Sequence, residues 1–240
     1  LLCDAYTELR RPLIDMETAS TEARPGDPHA MQAVVSDGVF RPGGPGTTTC
    51  VVADRWGNVV AATPSANVDT HRMDGGQAGV TYGNRLRSLN TTPGHPNCIE
   101  PGKRPRITLT PTLVLKDDRP AFAISVAGGD RQDQTALHML LGAIDFGLSP
   151  VEIVRVPRFS TFHHQNSFDP SPQRDTTFTD AGALEINNTV PESTRRDLER
   201  RGHPLLVKEQ AISNPVMLRI AGDTIQAAGD PDAGRHAAGL

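Results

Sequence analysis

The chain has 240 residues, of which 37% are hydrophobic and 22% charged, so it can build a core and is not disordered by composition. A net charge of -4 and only 4% aromatic residues give no electrostatic or stacking footprint for a nucleic-acid partner. No apolar run approaches the roughly 20 residues of a membrane-spanning helix, and the odd set Cys3, Cys50 and Cys98 is not a disulfide framework, which leaves the compartment open.

The chain opens at Leu1 rather than Met, and its first residues do not form a signal peptide, so an upstream portion is expected to be missing. Residues 1–22 carry Leu2, Ala5, Leu9, Leu13 and Met16 near helical spacing, interrupted by Pro12. Residues 23–46 read as loop and end in the flexible run RPGGPG. From Thr47 the character changes. Thr49–Ala53 and Val59–Thr63 are β-branched runs joined by DRWGN, the pattern of a hairpin. Residues 70–105, rich in Gly, Asn and Pro, read as a long ordered loop of the kind that carries function. TLTPTLVLK and PAFAISVA form a second strand pair around Asp117-Asp118-Arg119. AGGDRQDQTALHMLLGAIDFG starts with glycines and becomes an apolar helix. Residues 150–158 and 193–202 are short helices, the second ended by Gly202, and the tail supplies three more strands. Strands in adjacent pairs with helices in blocks imply α+β rather than an alternating βαβ order.

The stretch Gly46-Thr47-Thr48-Thr49-Cys50 leads a flexible loop straight into a hydroxyl residue that opens a strand. This arrangement fits a self-cleaving precursor. The Thr47 hydroxyl attacks the Gly46 carbonyl, the acyl group shifts from nitrogen to oxygen, and water releases the ester. The new N-terminal threonine then holds both a nucleophile and a base, because a free α-amine titrates near pH 8. The same residues also read as a plain loop-to-strand junction, since glycine before threonine is common.

Further stretches narrow the choice. TT(x)₂VVADRWGNVVAATPSAN, then PGKRPRITLTPTLV, SVAGGDRQ, DFGLSPVEIVRVPRF and GDPDAGR, in that order, resemble the gamma-glutamyltransferase family of N-terminal-nucleophile hydrolases. The resemblance runs from about Leu9 to the C-terminus. It implies a four-layer αββα sandwich and a division into residues 1–46, the end of a large-subunit-like segment, and residues 47–240, the catalytic small-subunit-like domain. It further implies cleavage between Gly46 and Thr47, with Thr47 as nucleophile and Ser65 as the second hydroxyl beside it. Asn67 would contact the acyl group, and Gly128 and Gly129 would form the oxyanion hole. The implied partners are a small-molecule amide and the rest of the large subunit of the same precursor, with no cofactor. A glycine pair ahead of a helix suits the hole physically, since orphan amides and the positive dipole end favour an oxyanion. It reads equally as an ordinary helix-entry turn.

Two positions depart from the family. Where a glutamine and an aspartate help hold the substrate's α-amino group, this chain has Arg85 and Ser88. Where paired hydroxyls follow KRP, it has Ile107-Thr108, so only Thr108 survives. An ammonium-binding anion is lost and a cation gained, and Arg85 becomes a candidate carboxylate fork or a solvent-facing arginine. The readings left standing are an amidohydrolase or acyltransferase with an altered acyl pocket, a true gamma-glutamyl hydrolase or transpeptidase, and an unprocessed relative that only binds. His163-His164 lacks a third ligand at zinc spacing, so no metal is expected. Asp130 and Asp133 are expected to cap the helix, Cys50 to lie in the core and Trp56 on the surface.

Overall fold

The computed structural model describes residues 4–18, 20, 24, 26–27, 29–34, 47–65, 85–168, 171–178 and 180–239. Cys3, the RPGGPG run with Gly46, Asn67 and the first part of the expected 70–105 loop lie outside the described residues.

The helix expected over the first 22 residues is short: α1 spans Asp4–Arg10 and passes into one 3-10 turn, Arg11–Leu13. Pro12 has no amide to continue the ladder, which ends the helix there. Two strands, β1 (Cys50–Ala53) and β2 (Val59–Ala62), form the expected hairpin. Its turn is held by Asp54, whose Oδ1 accepts from the amides of Trp56 and Asn58, both at 2.9 Å. Gly57, at φ 88, takes the left-handed position that glycine adopts without strain. Trp56 lies on the surface, with the Arg55 guanidinium 4.6 Å from its ring. Cys50 is exposed on the hairpin's outer side, which corrects its expected place in the core. The strand alternation that half-buries Thr49 and Val51 turns Cys50 outward.

The central sheet has the order β3-β4-β8-β9, from Thr112–Lys116, Arg119–Ala127, Asn214–Ala221 and Thr224–Gly229. Asp117 and Asp118, at φ 52 and 59, make the two-residue turn between β3 and β4. Both central residues of that tight turn need positive φ, which aspartate tolerates. One face of the sheet carries the helices α2 (Gln132–Ile144) and α3 (Pro150–Arg155). Ser149 and Glu152 close a capping box at the start of α3, with Pro150 in the first turn. Ile124, Val126, Met139, Val154 and Met217 fill the space between sheet and helices. The other face carries the β1–β2 hairpin. β4 is therefore covered on both sides, and its last five residues are all buried.

A second sheet contains β5 (Phe159–Thr161), β6 (Leu184–Asn187) and β7 (Leu205–Lys208). Neither β5 nor β6 is expected from the sequence. β6 and β7 run parallel, joined through α4 (Glu192–Arg200), so one βαβ unit sits within an otherwise antiparallel α+β fold. No helix among the described residues is long and apolar enough to cross a membrane.

The layer between sheet and helices supplies the stability on which the site rests. Ile124 is fully buried, so Ile124→Ala should cost about 2–5 kcal/mol in urea unfolding and Ile124→Val about 0.5–1.5 kcal/mol. An Ile124→Ala protein as stable as the parent would show that this layer is not the core.

Candidate active site

The hairpin register places the candidate nucleophile. Cys50 pairs with Ala62, and three steps earlier an isolated antiparallel bridge pairs Thr47 with Ser65 in the same register. Between them the Thr48 amide donates to the Pro64 carbonyl at 3.0 Å. Side chains alternate with a period of two, so Thr47, Thr49, Val51 and Ala53 share one face, as do their partners Ser65, Thr63, Ala61 and Val59. None of these eight positions is exposed, whereas Thr48, Cys50, Val52, Val60 and Pro64 on the other face are. The outcome is a direct contact: Thr47 Oγ1 donates to Ser65 Oγ at 2.9 Å.

One rung further in, Thr63 is buried and its hydroxyl lies 2.8 Å from that of Ser125 on β4. Ser125 Oγ also donates to the Ala62 carbonyl at 2.8 Å. These bonds fasten the hairpin to the central sheet beside the glycine pair. Ser65 lies two residues beyond Thr63, and Gly128 three beyond Ser125. At about 3.5 Å of chain per residue, both are held close to this junction.

Gly128 and Gly129 leave β4 at φ 153 and 61 and enter a 3-10 turn, Gly129–Arg131, that runs into α2. Among the described residues, neither glycine amide donates to a backbone acceptor in the loop network. The next two residues clamp the turn. Asp130 accepts from the Ser167 amide at 3.0 Å and from the Ser167 hydroxyl, with Arg106 3.8 Å away. Arg131 grips the buried carboxylate of Glu185 with Nε at 2.6 Å and Nη2 at 3.0 Å. Glu185 also accepts from Ser160 Oγ at 2.9 Å. Asp130 is thus a tether to another loop rather than the expected helix cap, and α2 begins without a side-chain cap. Asp133 accepts from the adjacent amide of Gln134.

Arg85, Ser88 and Thr108 border this turn. Arg85 and Ser88 open and close a 3-10 turn, Arg85–Ser88. The Arg85 guanidinium stands 5.1 Å from the Phe168 ring, and a Cβ built on Gly129 would lie 3.4 Å from that same ring. Arg87 also stacks on Phe168, at 5.8 Å, and donates to its carbonyl at 3.0 Å. All three Arg85 guanidinium nitrogens are shielded from solvent, and among the described residues none has a hydrogen-bond partner. Burial pushes this guanidinium below its ordinary pKa and repulsion from Arg87 adds to that, while Asp130 opposes it. Ser88 and Thr108 are buried, and both hydroxyls are unpartnered. The buried Gln132 amide, oriented to satisfy its neighbours, donates to the carbonyls of Thr108 at 2.9 Å and Val126 at 2.8 Å, which ties Thr108 to the start of α2. Gly46 and Asn67 lie outside the described residues.

Thr63, Ser125, Asp130, Arg131 and Glu185 are absent from the sequence-based set of site residues. Thr63 was within reach, two residues before Ser65 and so on its strand face. Glu185, a lone acid in the apolar run ALEIN, marks a buried ion pair, but its partner is 54 residues away. Among the described residues no group of three or more His, Cys, Asp or Glu could hold a metal ion, and His163 instead accepts from the Gly182 amide at 3.0 Å.

A threonine opening a strand at the edge of a β-on-β sandwich, with a glycine turn at the same edge, is the arrangement of the N-terminal-nucleophile hydrolases. The gamma-glutamyltranspeptidase family profile matches residues 1–240, and the chain belongs to that family. It is 30% identical over 235 residues to the acylase ACY 1 proenzyme of Pseudomonas sp. (strain SE83), covering 97% of this chain and 35% of the relative. It is 32% identical over 168 residues to the glutathione hydrolase proenzyme of Bacillus subtilis (strain 168), covering 67% of this chain and 28% of the relative. The solved structure of LmbA2991HD superposes with a TM-score of 0.80 at 30% identity, covering 97% of this chain and 42% of that one. The chain therefore spans about a third of the length of the curated relatives it matches.

The Thr47–Ser65 contact carries a test. Ser65→Ala removes the acceptor of the Thr47 hydroxyl and frees the nucleophile to rotate. Turnover by the processed protein should fall at least tenfold. Ser65 is only half-buried, so stability should drop by no more than about 1.5 kcal/mol. Equal turnover in a folded Ser65→Ala protein would remove Ser65 from the reaction.

Proposed function

We propose that the protein is a self-processing amide hydrolase or acyltransferase whose acyl pocket takes a carboxylate-bearing acyl group in place of one with an α-ammonium. In the first stage Thr47 Oγ attacks the Gly46 carbonyl carbon. The carbon–nitrogen bond breaks and the amine leaves with the hydroxyl's proton. Water then splits the ester, which divides the chain into residues 1–46 and 47–240. In turnover the freed α-amine of Thr47 takes the hydroxyl proton as the oxygen attacks a substrate amide. The Gly128 and Gly129 amides hold the oxyanion, and the departing amine takes the proton. Water, or an acceptor amine, releases the acyl group. Ser65 orients the attacking oxygen, and Asn67 and Thr108 line the acyl side.

The observation that carries the pocket assignment is the Arg85 guanidinium, shielded, without a hydrogen-bond partner among the described residues, and stacked on the Phe168 ring that a Cβ on Gly129 would meet. A shielded guanidinium without a direct hydrogen-bond partner is unfavourable even with Asp130 in Coulombic range, and an incoming carboxylate relieves it through a two-pronged contact. Ser88, in place of the family's aspartate, leaves an α-ammonium without its anion. The name of the Pseudomonas relative, an acylase, accords with a substrate outside the gamma-glutamyl class.

A second reading, a gamma-glutamyl hydrolase or transpeptidase acting on glutathione-like compounds, is favoured by the family match and by the Bacillus subtilis relative. An anion from the large-subunit segment of the precursor would then replace the lost aspartate. On either reading the remaining partner is that large-subunit segment.

Two experiments test the proposal. In the full precursor, mass spectrometry should find a chain beginning at Thr47, and Thr47→Ala should abolish it. A Thr47→Ala precursor that still splits at this bond sinks the mechanism, and a parent precursor that never splits favours an unprocessed binding relative. Second, kcat/KM for a glutaryl anilide should exceed that for the gamma-glutamyl anilide at least tenfold, a difference of about 1.4 kcal/mol. Arg85→Gln combined with Ser88→Asp should reverse the preference. A parent enzyme that prefers the gamma-glutamyl compound tenfold establishes the second reading.

A further inference from the structure

Gly128 and Ser213 face each other one step past the end of a ladder. The β4–β8 register pairs Ala127 with Asn214, so the next partners in line are Gly128 and Ser213. Neither continues its strand: Gly128 turns to φ 153, ψ 20, and Ser213 to φ 63. Left-handed backbone is uncommon for serine and persists where the surroundings impose it. Here they do. On one side of Ser213, Arg158 Nε donates to the Ile212 carbonyl at 2.8 Å, while the same buried guanidinium pairs with Asp230. On the other side, Asn214 Nδ2 donates to the Ala233 carbonyl at 3.4 Å, and the Pro215 carbonyl accepts from the Asp230 amide at 3.2 Å.

The Ser213 side chain fills the space beside the glycine. A Cβ built on Gly128 would lie 2.5 Å from Ser213 Oγ and 3.0 Å from Ser213 Cβ. Ser213 is only 4% exposed, and among the described residues its hydroxyl has no hydrogen-bond partner. A buried hydroxyl without a partner is a cost, so the contribution of this side chain is its contact with Gly128 rather than a bond of its own. Had the ladder run one rung further, Gly128 would have stayed extended and its neighbours committed to the sheet.

We propose that Ser213 is a positioning residue of the oxyanion turn. Its left-handed backbone ends the β4–β8 ladder, and its side chain wedges Gly128 into the conformation that leaves the Gly128 and Gly129 amides free for an incoming oxygen. This rests on the reading of the glycine pair as the oxyanion hole and goes beyond it, by naming what holds that hole open from the opposite strand.

The test uses the processed full-length protein and two variants. Ser213→Gly keeps the left-handed backbone and deletes the wedge, and Ser213→Val opposes the left-handed backbone. Two quantities are read: kcat and KM for the better of the two anilides, and the affinity of an alkylboronic acid, which adds to the Thr47 oxygen as a tetrahedral adduct and reports the hole. Ser213→Gly should lower kcat and boronate affinity together by about tenfold, with KM changed less than twofold. Ser213→Val should lower both further. A role confined to fold stability would shift the melting temperature and leave this split unmoved. Parental kcat and boronate affinity in Ser213→Gly, or a raised KM with unchanged kcat, overturns the proposal even if Ser213→Val fails to fold. Gly129→Pro in the same boronate assay separates the two ideas. Unchanged affinity there removes the oxyanion reading itself, whereas lost affinity there beside parental behaviour in Ser213→Gly removes the role of Ser213 alone.

Discussion

Strand register is the constraint from which the site follows. Thr47 lies three residues ahead of β1, in an isolated bridge. Its direction is set by the pleat and by whatever stands opposite. In this hairpin the rung at Cys50–Ala62 dictates the bridge at Thr47–Ser65. A slip of one residue would turn every side chain to the other face and send the Thr47 hydroxyl to the side where Cys50 now lies exposed. The turn at Asp54–Asn58 and the buried Thr63–Ser125 contact fix that register from opposite ends. A residue far from the chemistry and one beside it therefore serve the same geometric end.

The glycine turn is held by the opposite means. Ladder hydrogen bonds stop at Ala127, and what keeps the turn in place is charge and packing on its flanks. Asp130 is tied to Ser167, Arg131 to Glu185, and Phe168 lies against Gly129. The Glu185 carboxylate is buried between Arg131, whose Nη2 donates to it, and Lys208, 3.8 Å away. Such pairs contribute modestly to stability and strongly to geometry. An oxyanion hole, the role proposed for this turn, requires donors held in that way.

Much of this was legible in the sequence, and the division between what was and was not is physical. The hairpin, the β3–β4 pair, α2 and the three tail strands announce themselves through local signals: alternation, Asp-Gly-Asn turn chemistry and a helical apolar stripe. Thr47, Ser65 and the glycine pair, named through the family resemblance, sit on or beside those elements. β5 and β6 were missed because each is short and neither alternates. Phe159–Thr161 is three residues long, and all four residues of Leu184–Asn187 are buried. Asp130 was misread as a cap because its actual partner, Ser167, is 37 residues away in a loop with no periodic signal. Cys50 was misread because one β-branched neighbour does not say which face of a strand is inward. Residues whose role depends on distant partners are silent in a linear reading.

The same division separates the residues of the candidate site by how firmly the fold holds them. The hydroxyls and the glycine turn belong to strands whose register and ladder ends are shared by many contacts, so altering one residue there disturbs the sandwich. Arg85 and Ser88 belong to a single 3-10 turn that meets the rest of the site through one aromatic ring, Phe168, and through the Ser88 carbonyl, which accepts from Asn97 Nδ2. Exchanging a neutral amide for arginine and an anion for serine at this turn leaves the core layer, the hairpin register and the ladder end untouched. The turn has few backbone obligations and the strands have many. The Arg85 guanidinium, shielded and without a hydrogen-bond partner among the described residues, belongs to that lightly constrained turn.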